Sequence, residues 1–160
     1  MAFVCTLTGD SFNADVATRG SSRIVTARIG VDDERDIIYS VMVCLDPGGG
    51  GDMELVFAVV AADTAGREEP TEYLSGIETA SLIRGADREI VLSAIIGCVG
   101  NLVRAVQPPR IYMCTYDTDL PDRAVRKHIR VARAIETCGY YVKYPDPFHG
   151  QHIWYMERRE

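Results

Sequence analysis

The chain lacks a long apolar run. Its longest such stretch, around Val91 to Ile96, is far short of the ~20 residues a spanning helix requires, and no charged segment leading into an apolar one opens it. The sequence therefore predicts a cytoplasmic protein with no membrane contact. Cysteine is sparse and badly spaced. Cys5, Cys44, Cys98, Cys114 and Cys138 form no CxxC pair and are odd in number, which excludes the usual zinc, redox and disulfide frameworks. Each sits inside an apolar run, where a small buried hydrophobe is expected. Nucleophilic catalysis has no setting: there is no G-x-S-x-G, Ser75 and Ser81 have no base nearby in sequence, and Cys138 falls on an apolar helix side.

Positive charge is scarce as well, and unevenly placed. The net charge is −6; residues 1 to 103 hold 7 basic and 16 acidic side chains, and residues 104 to 160 hold 10 and 7. An acidic first part and a mildly basic last part argue against a nucleic-acid binder, which needs a concentrated positive surface. What is present is 47% apolar residues over 160 positions, enough for one core in a single domain, 1–160. The sequence sets no oligomeric state.

Local pattern predicts an α+β domain with a mixed, mainly antiparallel sheet and two long helices packed on it. Strands are expected at Ala2 to Thr8, from Arg23 to Gly30, from Asp36 to Leu45 and from Met53 to Ala62. The second of the long ones, DIIYSVMVCL, is almost continuously apolar, which implies cover on both faces. Asp46, Pro47 and the run Gly48 to Gly51 join two strands with no lysine behind them, so a flexible hairpin fits better than a phosphate loop. Residues 9 to 22 read as loop. Residues 63 to 86 are mixed, with Pro70 at an early helical position and Tyr73, Ile77 and Ala80 on a weak helical face. Asp87 caps a helix reaching about Gln107, ended by Pro108 and Pro109. One stripe of that helix, Ser93, Gly97, Gly100, Arg104 and Gln107, places two glycines where something passes close to the backbone.

The last third reads as the strand Arg110 to Tyr116, a helix from Leu120 to Cys138 ending at Gly139, and strands at Tyr140 to Tyr144 and Gln151 to Glu157. The helix has two nearly opposite sides. Arg123, Arg126, Lys127, Arg130 and Arg133 form a cationic face, which is either solvated or a site for a small anionic ligand or an acidic protein partner. His128 lies on the apolar side, as a buried neutral imidazole or as a catalytic group. His149 and His152 form an H-x-x-H pair beside Asp146, but no third ligand is evident and no metal is expected. Trp154 and Tyr155 nearby are candidates to line a pocket. Carboxylates at Asp117, Asp119 and Asp122 suit the positive end of the helix dipole.

The order from Arg23 to Glu157, ending in RIYMCTY, a helix and Gly139-Tyr140, resembles the GNAT superfamily of acyl-CoA-dependent N-acyltransferases. The resemblance implies a GNAT-like fold and acetyl-CoA as cofactor, its pyrophosphate held on a Gln/Arg-x-x-Gly-x-Gly/Ala turn after the fourth strand. Here that strand leads into DTAGREEP, the later Arg84-Gly85-Ala86 lacks the second glycine spacing, and Ile135 stands where the family often has a tyrosine acid. The sequence thus predicts a GNAT-like domain that binds without catalysis and needs no cofactor. The alternatives are a divergent acyltransferase using His128, His149 or a carboxylate as base, or a phage- or mobile-element-type accessory protein acting on a host partner.

Overall fold

The computed structural model describes residues 3–8, 14–64 and 72–160. They form an α+β structure, a nine-stranded mixed and mostly antiparallel sheet with three helices. Three eleven-residue strands, β3 (Ser22–Asp32), β4 (Ile37–Pro47) and β5 (Met53–Asp63), make an antiparallel meander. Two short strands not anticipated from the sequence, β2 (Ala17–Arg19) and β6 (Glu72–Leu74), pair with β3 and β5. The first strand, β1 (Phe3–Cys5), is shorter than expected and lies against the far end of β3.

The chain then forms α1 (Gly76–Leu82), α2 (Asp87–Val106), β7 (Arg110–Cys114), α3 (Asp122–Thr137), β8 (Tyr140–Lys143) and β9 (Ile153–Arg158). The strand order is β1-β3-β4-β5-β7-β9-β8. Strand β7 lies parallel to β5 and antiparallel to β9.

Helix starts differ from expectation for local reasons. Ser75 and Glu78 form a capping box that begins α1 one turn later than Tyr73, which belongs to β6; Pro70 lies outside the described residues. Asp87 is the first residue of α2 and not its cap; Ala86 holds the cap position without a side-chain hydrogen bond. Pro121 caps α3, and Gly139 beyond its end takes a left-handed φ of 95°.

By length and composition α2 could cross a membrane, with a mean hydropathy of 1.7 over its best window. Much of its apolar surface goes to the core, where Val91, Ala94, Ile95, Cys98, Val99, Leu102 and Val103 are buried, while Ile90 stays 42% exposed. At Gly100 the expected close approach comes from a side chain of the same helix. Arg104 lies across Gly100, where a Cβ would stand 2.8 Å from Nη2, and donates to Cys138 Sγ at 3.3 Å.

The core occupies one side of the sheet. Val25, Ala27, Val41, Val43, Leu55 and Val59 point to it, together with the buried residues of α2 and α3. Alternation sends Met42, Cys44, Val56, Ala58 and Val60 to the other face. None of these five belongs to the core cluster. Helices α2 and α3 pack on the same face, and on the other Cys44 and Val60 are buried as well, in keeping with the apolarity of β4.

The crevice between the two parallel strands

Strands β5 and β7 pair at only two positions, Met53 with Ile111 and Glu54 with Tyr112. Beyond them β5 continues along β4 and turns its other edge to β6, while β7 runs on beside β9. Where the two strands part, side chains of β5, β7, β9 and α3 meet across the crevice between them on both faces.

On the helix side, α3 brings His128 between β5 and β9. Its ring lies 5.2 Å from Phe57 and 5.4 Å from Trp154, in the second case nearly parallel at 10°. Nδ1–H donates to the Ala124 carbonyl at 2.8 Å, one turn back, which leaves Nε2 as the unprotonated nitrogen of the neutral ring. Burial, with Lys127 and His152 adding like charge, pushes the imidazole pKa down to about 4, against the backbone hydrogen bond that raises it. At neutral pH it is an uncharged packing group.

His152 joins the same group of rings. Its Nδ1 shares a 2.5 Å hydrogen bond with the Tyr144 hydroxyl, and Tyr144 stacks on Trp154 at 4.9 Å and 6°. Two further bonds fix the backbone there: His152 N–H donates to Thr115 Oγ1, and Thr115 N–H to the His152 carbonyl, each at 2.9 Å. His149 stays exposed on the turn with φ of 50°, its ring edge-on to Phe148 at 4.2 Å. So His128 and His152 are brought together around Trp154. Among the described residues no group of three or more His, Cys, Asp or Glu is arranged to hold a metal.

Trp154 and Tyr155 do not line one pocket together. They alternate along β9, with Trp154 1% exposed in the core and Tyr155 48% exposed on the opposite face.

On that opposite face Glu54 gathers donors from β7 and from the segment just after it. Tyr112 OH donates at 3.3 Å, Cys114 Sγ at 3.7 Å, and the Tyr116 hydroxyl also bonds the carboxylate. Accepting from Tyr116 stabilises the phenol, so its pKa is raised, first by this hydrogen bond and then by burial. Burial likewise raises Cys114, and it pushes Cys44 and Cys98 up to about 12, which leaves those thiols unreactive. Glu54 was not singled out from the sequence, although it is the one charge in the run MELVFAVVAA.

The glycine run beside this cluster is tied down. Gly49–Gly51 form a 3-10 turn, Gly48 N–H donates to the Asp52 carbonyl at 2.7 Å, and Arg110 from β7 holds both the Gly50 carbonyl at 3.0 Å and Asp52 at 2.5 Å. The hairpin is thus braced by β7. The start of α2 offers no phosphate cradle either. Asp87 and Glu89 stand in its first turn, and Arg88 folds back to donate to the carbonyls of Ala80 and Ile83 at 2.6 and 2.8 Å.

The cationic face of α3 divides. Lys127 is half-buried with its ammonium 5.3 Å from the centre of the Phe57 ring, and desolvation lowers its pKa. Arg130 is paired with Glu89 of α2 at 2.9 Å. Arg123, Arg126 and Arg133 are exposed and have no hydrogen-bond or ion-pair partner among the described residues. No family model, no curated protein and no solved structure matches this chain.

Proposed function

We propose that this chain is a GNAT-like α+β domain that acts by binding an acidic protein segment or small anionic group, without acyl transfer. The order from β3 to β9, with its parallel junction of β5 and β7, supports the GNAT resemblance. The observation that carries the non-catalytic reading is the filled crevice: Phe57, His128 and Trp154 close one face and the Glu54 cluster the other.

Binding is assigned to α3 because Arg123, Arg126 and Arg133 share one arc of an exposed helix side and are unneutralised, whereas Lys127 and Arg130 are engaged within the protein. Guanidinium groups in such a row recognise carboxylate or phosphate by paired hydrogen bonds. A fluorescent oligoglutamate peptide titrated at low salt tests this. Reversal of Arg126 and Arg133 to Glu is expected to abolish binding with the melting curve unchanged, and 0.5 M salt, about a 4 Å screening length, to weaken it strongly. Undiminished binding by the double variant would remove α3 from the account.

A divergent acyl-CoA-dependent N-acyltransferase is the second reading, favoured by one observation. Glu54 and Tyr116 form a hydrogen-bonded carboxylate and phenol at the mouth of the crevice, with Tyr116 66% exposed. Such a pair has the composition of a base and an acid.

A further inference from the structure

The exposed side of α3 has a pattern as well as a charge. Arg126, Ile129 and Arg133 step by three and then four positions, so they form one row along the helix, an apolar side chain between two guanidinium groups. Both arginines are exposed, and Ile129 is half-buried, as is Val125 one turn before it. The row is turned away from the flank that α3 presents to α2 and β5, where Lys127 covers Phe57 and Arg130 meets Glu89.

Length selects the occupant. Arg126 and Arg133 are seven residues apart, about 10 Å along the axis. A phosphate or a single carboxylate spans a fraction of that distance and reaches one of them at a time. A second α-helix repeats the same rise, so carboxylates seven residues apart on its face meet both arginines while an apolar residue midway meets Ile129. Helix α2 already makes one such contact: Glu89 sets both carboxylate oxygens against Arg130 Nη1, at 3.1 and 2.9 Å. Asp122 and Glu136 stand near the two ends of α3 and repel carboxylates placed beyond the arginines, which limits the matching stretch to about two turns.

On the reading that this face of α3 binds anions, we propose that its ligand is an acidic amphipathic helix of a protein partner. Carboxylates at i and i+7 of that helix meet Arg126 and Arg133, and an apolar residue between them packs on Ile129. Guanidinium groups suit this contact because their aliphatic stems lie along apolar surface while their heads pair with carboxylates.

Two fluorescent peptides of about 20 residues, titrated at low salt, test the proposal. One carries Glu at i and i+7 with Leu at i+3 in an alanine-rich background; the other has a central, outward-facing alanine replaced by proline, which keeps every charge and breaks the helix. The helical peptide is expected to bind at least about tenfold more tightly than its proline version. Arg133→Gln, at an exposed position, is expected to weaken the helical peptide about fivefold with the melting curve unchanged. Equal affinity of the two peptides overturns the helical ligand and leaves an anion-binding face, whereas binding of neither overturns the binding role of α3 as well. A helical peptide indifferent to Arg133→Gln also contradicts the proposal.

Discussion

The imidazole of His128 lies 5.4 Å from the indole of Trp154 and within 10° of parallel to it, so the histidine serves as part of the wall that α3 builds against β9. A ring packed in this way resists protonation, and its pKa falls to about 4 from an ordinary 6.5. In the unfolded chain it titrates at the higher value. Between those two values the unfolded state therefore binds a proton that the folded state refuses. The contribution is complete above pH 6.5 and is lost as pH falls towards 4, by about 3 kcal/mol at most. Urea unfolding at pH 7.5 and 4.5 measures it, and His128→Phe is expected to reduce the difference between the two. An equal loss in the variant would show that other groups dominate the acid response.

The braced glycine hairpin makes two neighbouring positions unequal. A Cβ at Gly48 would stand 2.7 Å from Tyr112 Cε1, whereas one at Gly49 meets nothing within 4 Å. Gly48→Ala is expected to cost about 1–3 kcal/mol and Gly49→Ala about 0.5 kcal/mol or less. Equal effects in thermal melts would mean that the turn does not rest on β7.

Tyr140 ties the start of β8 to the end of α2. Its buried hydroxyl donates to the Pro108 carbonyl at 2.7 Å. Tyr140→Phe keeps the ring and leaves that carbonyl without its donor, for an expected loss of about 1–2 kcal/mol in denaturant unfolding. A neutral substitution would indicate that water replaces the hydroxyl.

The pair of Arg130 and Glu89 joins α3 to α2 at the surface, with both side chains well exposed. Glu89→Gln is expected to cost less than about 1 kcal/mol, and the difference to shrink in high salt. Its larger effect is on charge: freeing Arg130 enlarges the cationic face, so oligoglutamate binding should tighten. Weaker binding in this variant would place the acidic probe elsewhere.

The parts of this fold that local pattern reveals are those held by local rules. The long strands β3 to β5 follow from β-branched runs, and the end of α3 from Gly139, whose left-handed backbone no other residue adopts as readily. Strands β2 and β6, each three residues long, owe their existence to pairing with β3 and β5 and have no signal of their own. The site was partly legible in the same sense. His128 stood out as a histidine on an apolar helix side, and the ring group around it depends on Phe57 and Tyr144, which sequence spacing could not connect to it. Glu54 is joined to Tyr112 and Tyr116 across 58 and 62 positions of chain. Only the sheet register brings them together. Lys127 and Arg130 matched the helical face expected of them, yet one packs on Phe57 and the other pairs with α2. Helical periodicity gives direction around an axis and says nothing of what the neighbouring elements present.

Whether the crevice between β5 and β7 accepts a cofactor is settled by melting the protein with acetyl-CoA at millimolar concentration, following the single tryptophan. With Phe57, His128, Trp154 and the Glu54 cluster in place, the melting temperature is expected to stay where it is without ligand. Binding at one hundred times the dissociation constant would instead add about 2.7 kcal/mol, a rise of roughly 5–10 °C for a chain of this size, and would contradict the reading of a closed, non-catalytic domain.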